Sequence, residues 1–181
     1  MPSLVLGAAV VIVATVLILR SDVGAPPVVR GTMAPEFSLP RLDPTDPPIE
    51  LSALSGRVVL VNFWATWCEP CEREMPAMER LYRSLPREEF ELVAVAIDNK
   101  EADVRAFQER YAFSFPILLD LDQAVYDSYQ TMGVPESLLL DPEGRIVERY
   151  VGPREWDAPE YERRIRELLD GVRRVPTPDP L

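Results

Sequence analysis

Apolar residues recur along this chain in distinct rhythms, and each rhythm predicts a different element. Residues 58–64 (VVLVNFW) and 92–97 (LVAVAI) are nearly continuous apolar runs rich in β-branched side chains. Strands covered on both faces read this way, so both are expected in the middle of a sheet. Between them residues 68–84 carry a helical pattern, and after them residues 102–111 set Val104, Phe107 and Tyr111 on one helical face. The order is β-α-β-α, the alternation of an α/β domain.

Further along, residues 137–140 and 146–151 are two short strand-like runs joined by Asp141-Pro142-Glu143-Gly144. Proline and glycine at those places fit a tight reversal, which predicts an antiparallel hairpin. A final helix is expected with Asp157 as N-cap, Pro159 in its first turn and Gly171 as its stop. Tyr161, Ile165, Leu168 and Leu169 fall on its apolar face. Upstream, residues 34–39 look extended and residues 41–48 form a Pro- and Asp-rich loop without apolar period.

The most apolar stretch lies at the N-terminal end. Residues 4–19 contain no charge and are bounded by Arg20, Ser21 and Asp22. As a helix this segment would be roughly 24 Å long, slightly short of the ~30 Å hydrocarbon core. Val23-Gly24-Ala25 resembles a signal-peptide cleavage site, but Pro26 follows it and disfavours cleavage, so an uncleaved anchor is expected. Arg20 lies on the side opposite to that favoured by the positive-inside rule, which leaves the flanking charge in conflict with an outward-facing domain. The resulting division is a transmembrane anchor over 1–22, a linker over 23–33, one compact domain over 34–172 and a disordered tail over 173–181.

Composition narrows the chemistry. A formal net charge of −11 without a long basic run opposes the electrostatics of nucleic-acid binding, so nucleic acid is not an expected partner. There is no histidine and there are only two cysteines, which removes the usual metal ligands and the usual general base together. No metal site and no cofactor are expected, and the reactive groups left are thiols and carboxylates.

Both cysteines stand in Trp67-Cys68-Glu69-Pro70-Cys71, directly after the 58–64 strand and at the start of a helix. A cysteine at a helix N-terminus has backbone N–H groups and the positive end of the dipole to stabilise its thiolate, which makes Cys68 the attacking thiol. Cys71, one turn further in, can reach a mixed disulfide on Cys68 and release the partner, so it is the resolving thiol. A zinc site would need about four ligands and finds no others here. Trp67, Glu69 and Pro70 around the pair are expected to meet substrate, whereas Trp64 is expected to pack.

On a helical wheel Cys71, Met75, Met78, Leu81 and Tyr82 form one apolar stripe, and Glu74 falls inside it. A carboxyl buried beside two thiols should have a raised pKa and could exchange a proton with them. The same position equally allows a side chain that snorkels to solvent or pairs with an arginine.

The FWATWCEPC block at 63–71, Glu74 three residues after the second cysteine, Gly133-Val134-Pro135-Glu136 ahead of a strand, and APEFSLP at 34–40 together resemble the thioredoxin superfamily. Within it they are similar to the TlpA/ResA and CcmG (DsbE) group of anchored thiol-disulfide oxidoreductases. The resemblance covers residues 34–170 and implies a thioredoxin fold, a central mixed sheet flanked by helices, with an N-terminal extension and a central αβ insertion. It implies a functional carboxyl at Glu74, with Asn62 where thioredoxin itself has a buried Asp. It also implies a cis-proline at Pro135 that faces the cysteines and leaves the Val134 backbone free for an extended substrate. Glu136, expected with Val134 and Pro135 to contact substrate, resembles the CcmG branch, while Cys-Glu-Pro-Cys is more like ResA. The implied activity is reduction of disulfides in an exported protein such as apocytochrome c, at the outer side of a cytoplasmic membrane, with a membrane thiol carrier as electron donor.

Other readings are a thiol peroxidase of peroxiredoxin type, a copper or haem carrier, and a bare adaptor domain. The first lacks its usual Pro-x3-Thr-x2-Cys frame, since residue 62 is Asn and Thr66 stands two before Cys68. The second class ordinarily uses histidine, which this chain does not have.

Overall fold

A computed structural model describes residues 26–173. Its centre is a five-stranded sheet in the order β5-β4-β3-β6-β7. The strands are β3 (Val58–Trp64), β4 (Phe90–Ala96), β5 (Ile117–Leu119), β6 (Glu136–Leu140) and β7 (Ile146–Val151), preceded by β1 (Ser38–Leu39) and β2 (Ile49–Glu50) in a separate small hairpin. Strands β3, β4 and β5 run parallel, and β6 and β7 complete the sheet antiparallel. This is the mixed sheet of a thioredoxin-type α/β fold.

Every residue of β3 and of β4 is buried, as their unbroken apolar runs require of strands covered on both faces. The crossover from β3 to β4 is helix α1 (Glu69–Ser84), and that from β4 to β5 is α2 (Glu101–Tyr111). Val104 and Phe107 of α2 are buried, and the Phe107 ring lies 4.8 Å from that of Trp64. A short α3 (Ala124–Ser128) follows β5, and α4 (Pro159–Arg173) closes the fold against β3. The β6–β7 hairpin turns through Asp141 to Gly144, with Gly144 at φ +82° and Asp141 Oδ1 accepting from Glu143 N and Arg145 N.

Three expectations are corrected at the ends. The segment read as a linker up to residue 33 belongs to the fold from Val28 onward. Val28 is buried, Gly31 N donates to Ile146 O at 2.7 Å, and Met33 bridges to Arg145. Residues 31–34 thereby pair with the first residue of β7 and the turn before it, while residues 40–42 line the open edge of β5, where Leu119 N donates to Pro40 O and Leu42 N to Ile117 O, both at 2.9 Å. Unpaired strand edges invite association with other chains, and this N-terminal segment protects that of β5. At the other end Gly171 lies inside α4, and Asp157 pairs with Arg80 Nε of α1 at 2.6 Å. Because α4 starts at Pro159, Asp157 lies one residue outside the cap position, and its carboxylate turns to the cation about three turns along α1.

Among the described residues no helix is long and apolar enough to cross a membrane. The anchor expected over 1–22 and most of the tail expected over 173–181 lie outside the described residues.

Candidate active site

Strand β3 ends at Trp64, and the chain turns through Ala65, Thr66 and Trp67 into α1. That turn is held from β4's side: Thr66 N donates to both carboxylate oxygens of Asp98, at 3.2 and 3.0 Å, and Thr66 Oγ1 donates to Oδ1. Asp98 is buried, and nothing in the periodicity of the sequence marks it. Cys68 N donates back to Ala65 O at 3.1 Å, which closes the turn.

Cys68 is the N-cap of α1, with extended backbone (φ −93°, ψ 95°), and its sulfur accepts from Cys71 N at 3.2 Å. The sulfur thus occupies the place of a capping oxygen and receives a helix N–H that would otherwise lack a partner. Pro70 lies in the first turn, where a missing N–H costs nothing. Cys68 and Cys71 are joined in a disulfide with an S–S distance of 2.05 Å. Cys71 is wholly buried and Cys68 is 5% exposed, so the first cysteine is the one that borders solvent. Trp67 beside it is 69% exposed, in contrast to the buried Trp64. Glu69 projects from the helix and pairs with Arg73, one turn on.

Glu74 is 4% exposed and does not snorkel. Its carboxylate is held by three donors from three parts of the chain. Oε1 accepts from Asn62 Nδ2 of β3 at 3.1 Å, and Oε2 accepts from Arg154 N at 2.9 Å and Trp156 Nε1 at 3.1 Å. Arg154 and Trp156 lie in the connection from β7 to α4. Burial raises the Glu74 pKa to about 7 despite these three donors, which by themselves lower it. At three positions along a helix, Glu74 is a surface neighbour of Cys71, with Cβ atoms about 5–6 Å apart by helix geometry.

The Val134–Pro135 peptide bond is cis. Phe63 and Glu136 are register partners across β3 and β6, so the residues just before Glu136 lie beside the end of β3 that leads into Cys68. Val134 is partly exposed and Pro135 is buried; Pro135 O accepts from Gly152 N at 2.9 Å. Met132, two residues earlier, is almost fully exposed.

Glu136, expected to contact substrate, is instead 3% exposed. It pairs with Arg149 Nε of β7 and accepts from Met132 N at 3.4 Å. The Arg149 guanidinium also donates to Val28 O, Tyr129 O and Gln130 O at 2.8 to 3.1 Å. Glu136 therefore braces the loop before Pro135 from within.

Among the described residues no cluster of acidic or cysteine side chains could hold a metal ion. A mixed five-stranded sheet of this order, with a redox-active Cys-x-x-Cys capping the helix after its central strand and a cis-proline at the neighbouring strand, defines the class of thioredoxin-fold thiol-disulfide oxidoreductases.

Comparison with known proteins places the chain within that class. It belongs to the AhpC/TSA family, whose model matches residues 30–149. It is similar to the thiol-disulfide oxidoreductase ResA of Bacillus subtilis (strain 168), at 39% identity over 123 residues, 68% of this chain and 68% of that one. ResA of Bacillus anthracis is 34% identical over 148 residues, 82% of this chain and 79% of its own length. Among solved structures, a thiol:disulfide interchange protein of the thioredoxin family from Chlorobium tepidum TLS superposes with a TM-score of 0.66 at 27% identity, covering 78% of this chain and 98% of that one. The relatives named ResA carry a name for the same chemistry that the cysteine pair implies. This chain is a thiol-disulfide oxidoreductase of ResA type.

Proposed function

We propose that this oxidoreductase reduces disulfides in exported proteins, apocytochrome c foremost, from the outer face of a cytoplasmic membrane to which residues 1–22 anchor it. The observation that carries the proposal is the pairing of a solvent-bordering sulfur at a helix N-cap with a buried sulfur that shares its helix face with Glu74. The apolar segment 4–19 supports the anchor, and the resemblance to the ResA and CcmG groups supports the exported substrate.

The reaction begins with the reduced pair. The Cys68 thiolate, stabilised by the Cys71 N–H and the helix dipole, attacks one sulfur of the target disulfide. A mixed disulfide forms between Cys68 and the target, and the target's other sulfur leaves as a thiolate, which takes up a proton. Cys71 then gives its proton to Glu74 and attacks Cys68 Sγ. The Cys68–Cys71 disulfide forms and the target's second sulfur leaves, protonated in turn. Two electrons pass from the pair to the target; of the target's two protons one is that of Cys71, handed on by Glu74, and the other comes from solvent, and the protein is left in the oxidised state seen here. A membrane thiol carrier restores the dithiol by the same exchange in reverse.

A buried thiol is a poor nucleophile without a base, and a carboxyl with a pKa of about 7 can take its proton at neutral pH and release it again. The extended target segment pairs with the Val134 backbone, with Trp67 and Met132 as exposed apolar contacts on either side.

The test offers the reduced full-length protein three oxidants separately: apocytochrome c carrying its haem-site disulfide, insulin, and hydrogen peroxide. Apocytochrome reduced fastest, with one Cys68–Cys71 disulfide formed per target disulfide, is the expected result. Peroxide consumed faster than either protein disulfide would replace the proposal with a thiol peroxidase.

A further inference from the structure

The hydrogen bonds around Glu74 leave one atom over. Asn62 is fully buried, and its amide nitrogen spends both hydrogens, one on Glu74 Oε1 at 3.1 Å and one on Ser137 Oγ at 2.9 Å. Its amide oxygen is buried without a hydrogen-bond partner. An unpartnered buried carbonyl costs free energy, so a side chain that keeps one is doing something its neighbours require.

The requirement follows from the two forms of Glu74. Ionised, Oε1 can only accept, and an amide N–H is its proper partner. Oε2 is already occupied as an acceptor by Arg154 N and Trp156 Nε1 in either form, so a proton arriving on the carboxyl settles on Oε1. Oε1–H would then meet the N–H of Asn62 donor to donor. Rotating the amide by half a turn exchanges its nitrogen and oxygen and removes the clash. Asn62 Oδ1 then accepts from Glu74 Oε1–H, and the Ser137 hydroxyl, which rotates freely, changes from acceptor to donor toward the same oxygen.

We propose that Asn62 is a positioning residue whose amide turns over with each protonation of Glu74, nitrogen toward Glu74 and Ser137 when the carboxyl is ionised and oxygen toward them when it is protonated. The inference rests on the reading of Glu74 as the group that exchanges a proton with Cys71. An aspartate at residue 62 could not serve the ionised form, and a leucine could serve neither. The unpartnered end of the amide is the cost of serving both states with one side chain.

The charged and titratable groups that bear on Glu74 are few. From the β7–α4 connection there is the Arg154 guanidinium, which favours the ionised carboxyl; from α1 there is Cys71, tied here in the disulfide. Tyr150 of β7 packs on Trp156, and burial raises its pKa. Ser137 of β6 and Trp156 do not titrate in the range concerned. A response of Asn62 centred on the Glu74 midpoint is therefore separable from all of these.

The test follows the Asn62 side-chain amide by NMR in the oxidised full chain, alongside the Glu74 carboxyl carbon, from pH 5 to pH 9. The expected result is one shared midpoint, with the Asn62 amide's close contacts to Ser137 Hβ present above it and absent below it. In Glu74→Gln the amide of residue 74 mimics the protonated acid, so Asn62 should lie at the acid limit of the wild type at every pH. Asn62 signals that stay constant while Glu74 titrates, or that still titrate in Glu74→Gln, would overturn the inference. Reductase activity of Glu74→Gln is read separately: undiminished activity would remove Glu74 from the proton transfer, an outcome that the NMR titration neither needs nor conceals.

Discussion

Trp156 Nε1 donates to Glu74 Oε2 across 3.1 Å of space and 82 residues of sequence. The contact joins the end of the fold to the redox helix, and it explains why a buried carboxyl can be ionised at all. Without its donors a carboxylate in this position would be held neutral to still higher pH.

Trp156→Phe therefore removes a charge-assisted hydrogen bond while keeping a ring against Tyr150 and Tyr161. The ionised form of Glu74 loses more than the protonated form. Its midpoint should move upward by about one pH unit, from the value of a hydrogen bond to a charged group. The pH profile of the Cys71 resolution step, measured by rapid-quench trapping of free thiols, should shift by the same amount and in the same direction. An unmoved profile with unchanged folding would show that Trp156 has no part in setting the proton affinity.

Stability should fall with rising pH through the same group. The folded pKa of Glu74, about 7, lies above the ordinary carboxylate value of 4.5. Between those values the folded chain holds a proton that the unfolded chain has released. Stability is therefore greatest below the unfolded pKa and declines as pH rises through the folded one, by about 3 kcal/mol in total for this group. Urea unfolding of the oxidised protein at a series of pH values reads the slope directly. Glu74→Gln should flatten it between pH 4.5 and pH 7.

Glu136 should matter to stability and not to substrate recognition. Arg149→Met strands its carboxylate without a cation and strips donors from Val28, Tyr129 and Gln130. A loss of about 3–5 kcal/mol in urea unfolding is expected for a broken buried pair. Glu136→Gln keeps the side chain's size and its hydrogen-bonding capacity. Its KM for a protein disulfide should match the wild type, and a KM raised tenfold in a stably folded variant would return Glu136 to the binding surface.

The parts of this site that were legible in the sequence are those fixed by local pattern. The cysteine pair is legible because a C-x-x-C follows an apolar strand directly, and Glu74 because a charge interrupts an apolar helical stripe. The α/β alternation follows from strands too apolar to have a wet face, and the resemblance supplied the thioredoxin-type sheet. The resemblance, not the residues, supplied the role of Pro135. What was not legible depends on contacts between distant segments. Strand β5 is three residues long and carries no period of its own. Asp98, Arg154 and Trp156 reach the site only through the order of strands and the path of one connection. Asp157 looked like a cap because the sequence does not show Arg80 beside it, and Glu136 was expected at the substrate because glutamate is rarely buried without a partner, which Arg149 provides.

Which sulfur meets the target decides the mechanism. In the host cell, Cys71→Ser should accumulate mixed disulfides through Cys68 with exported proteins, resolved as thiol-sensitive adducts on non-reducing gels and identified by mass spectrometry. Cys68→Ser should trap none, since its remaining thiol is buried. Adducts on Cys71 in the second variant, or a Cys71→Ser protein with no adducts at all, would contradict it.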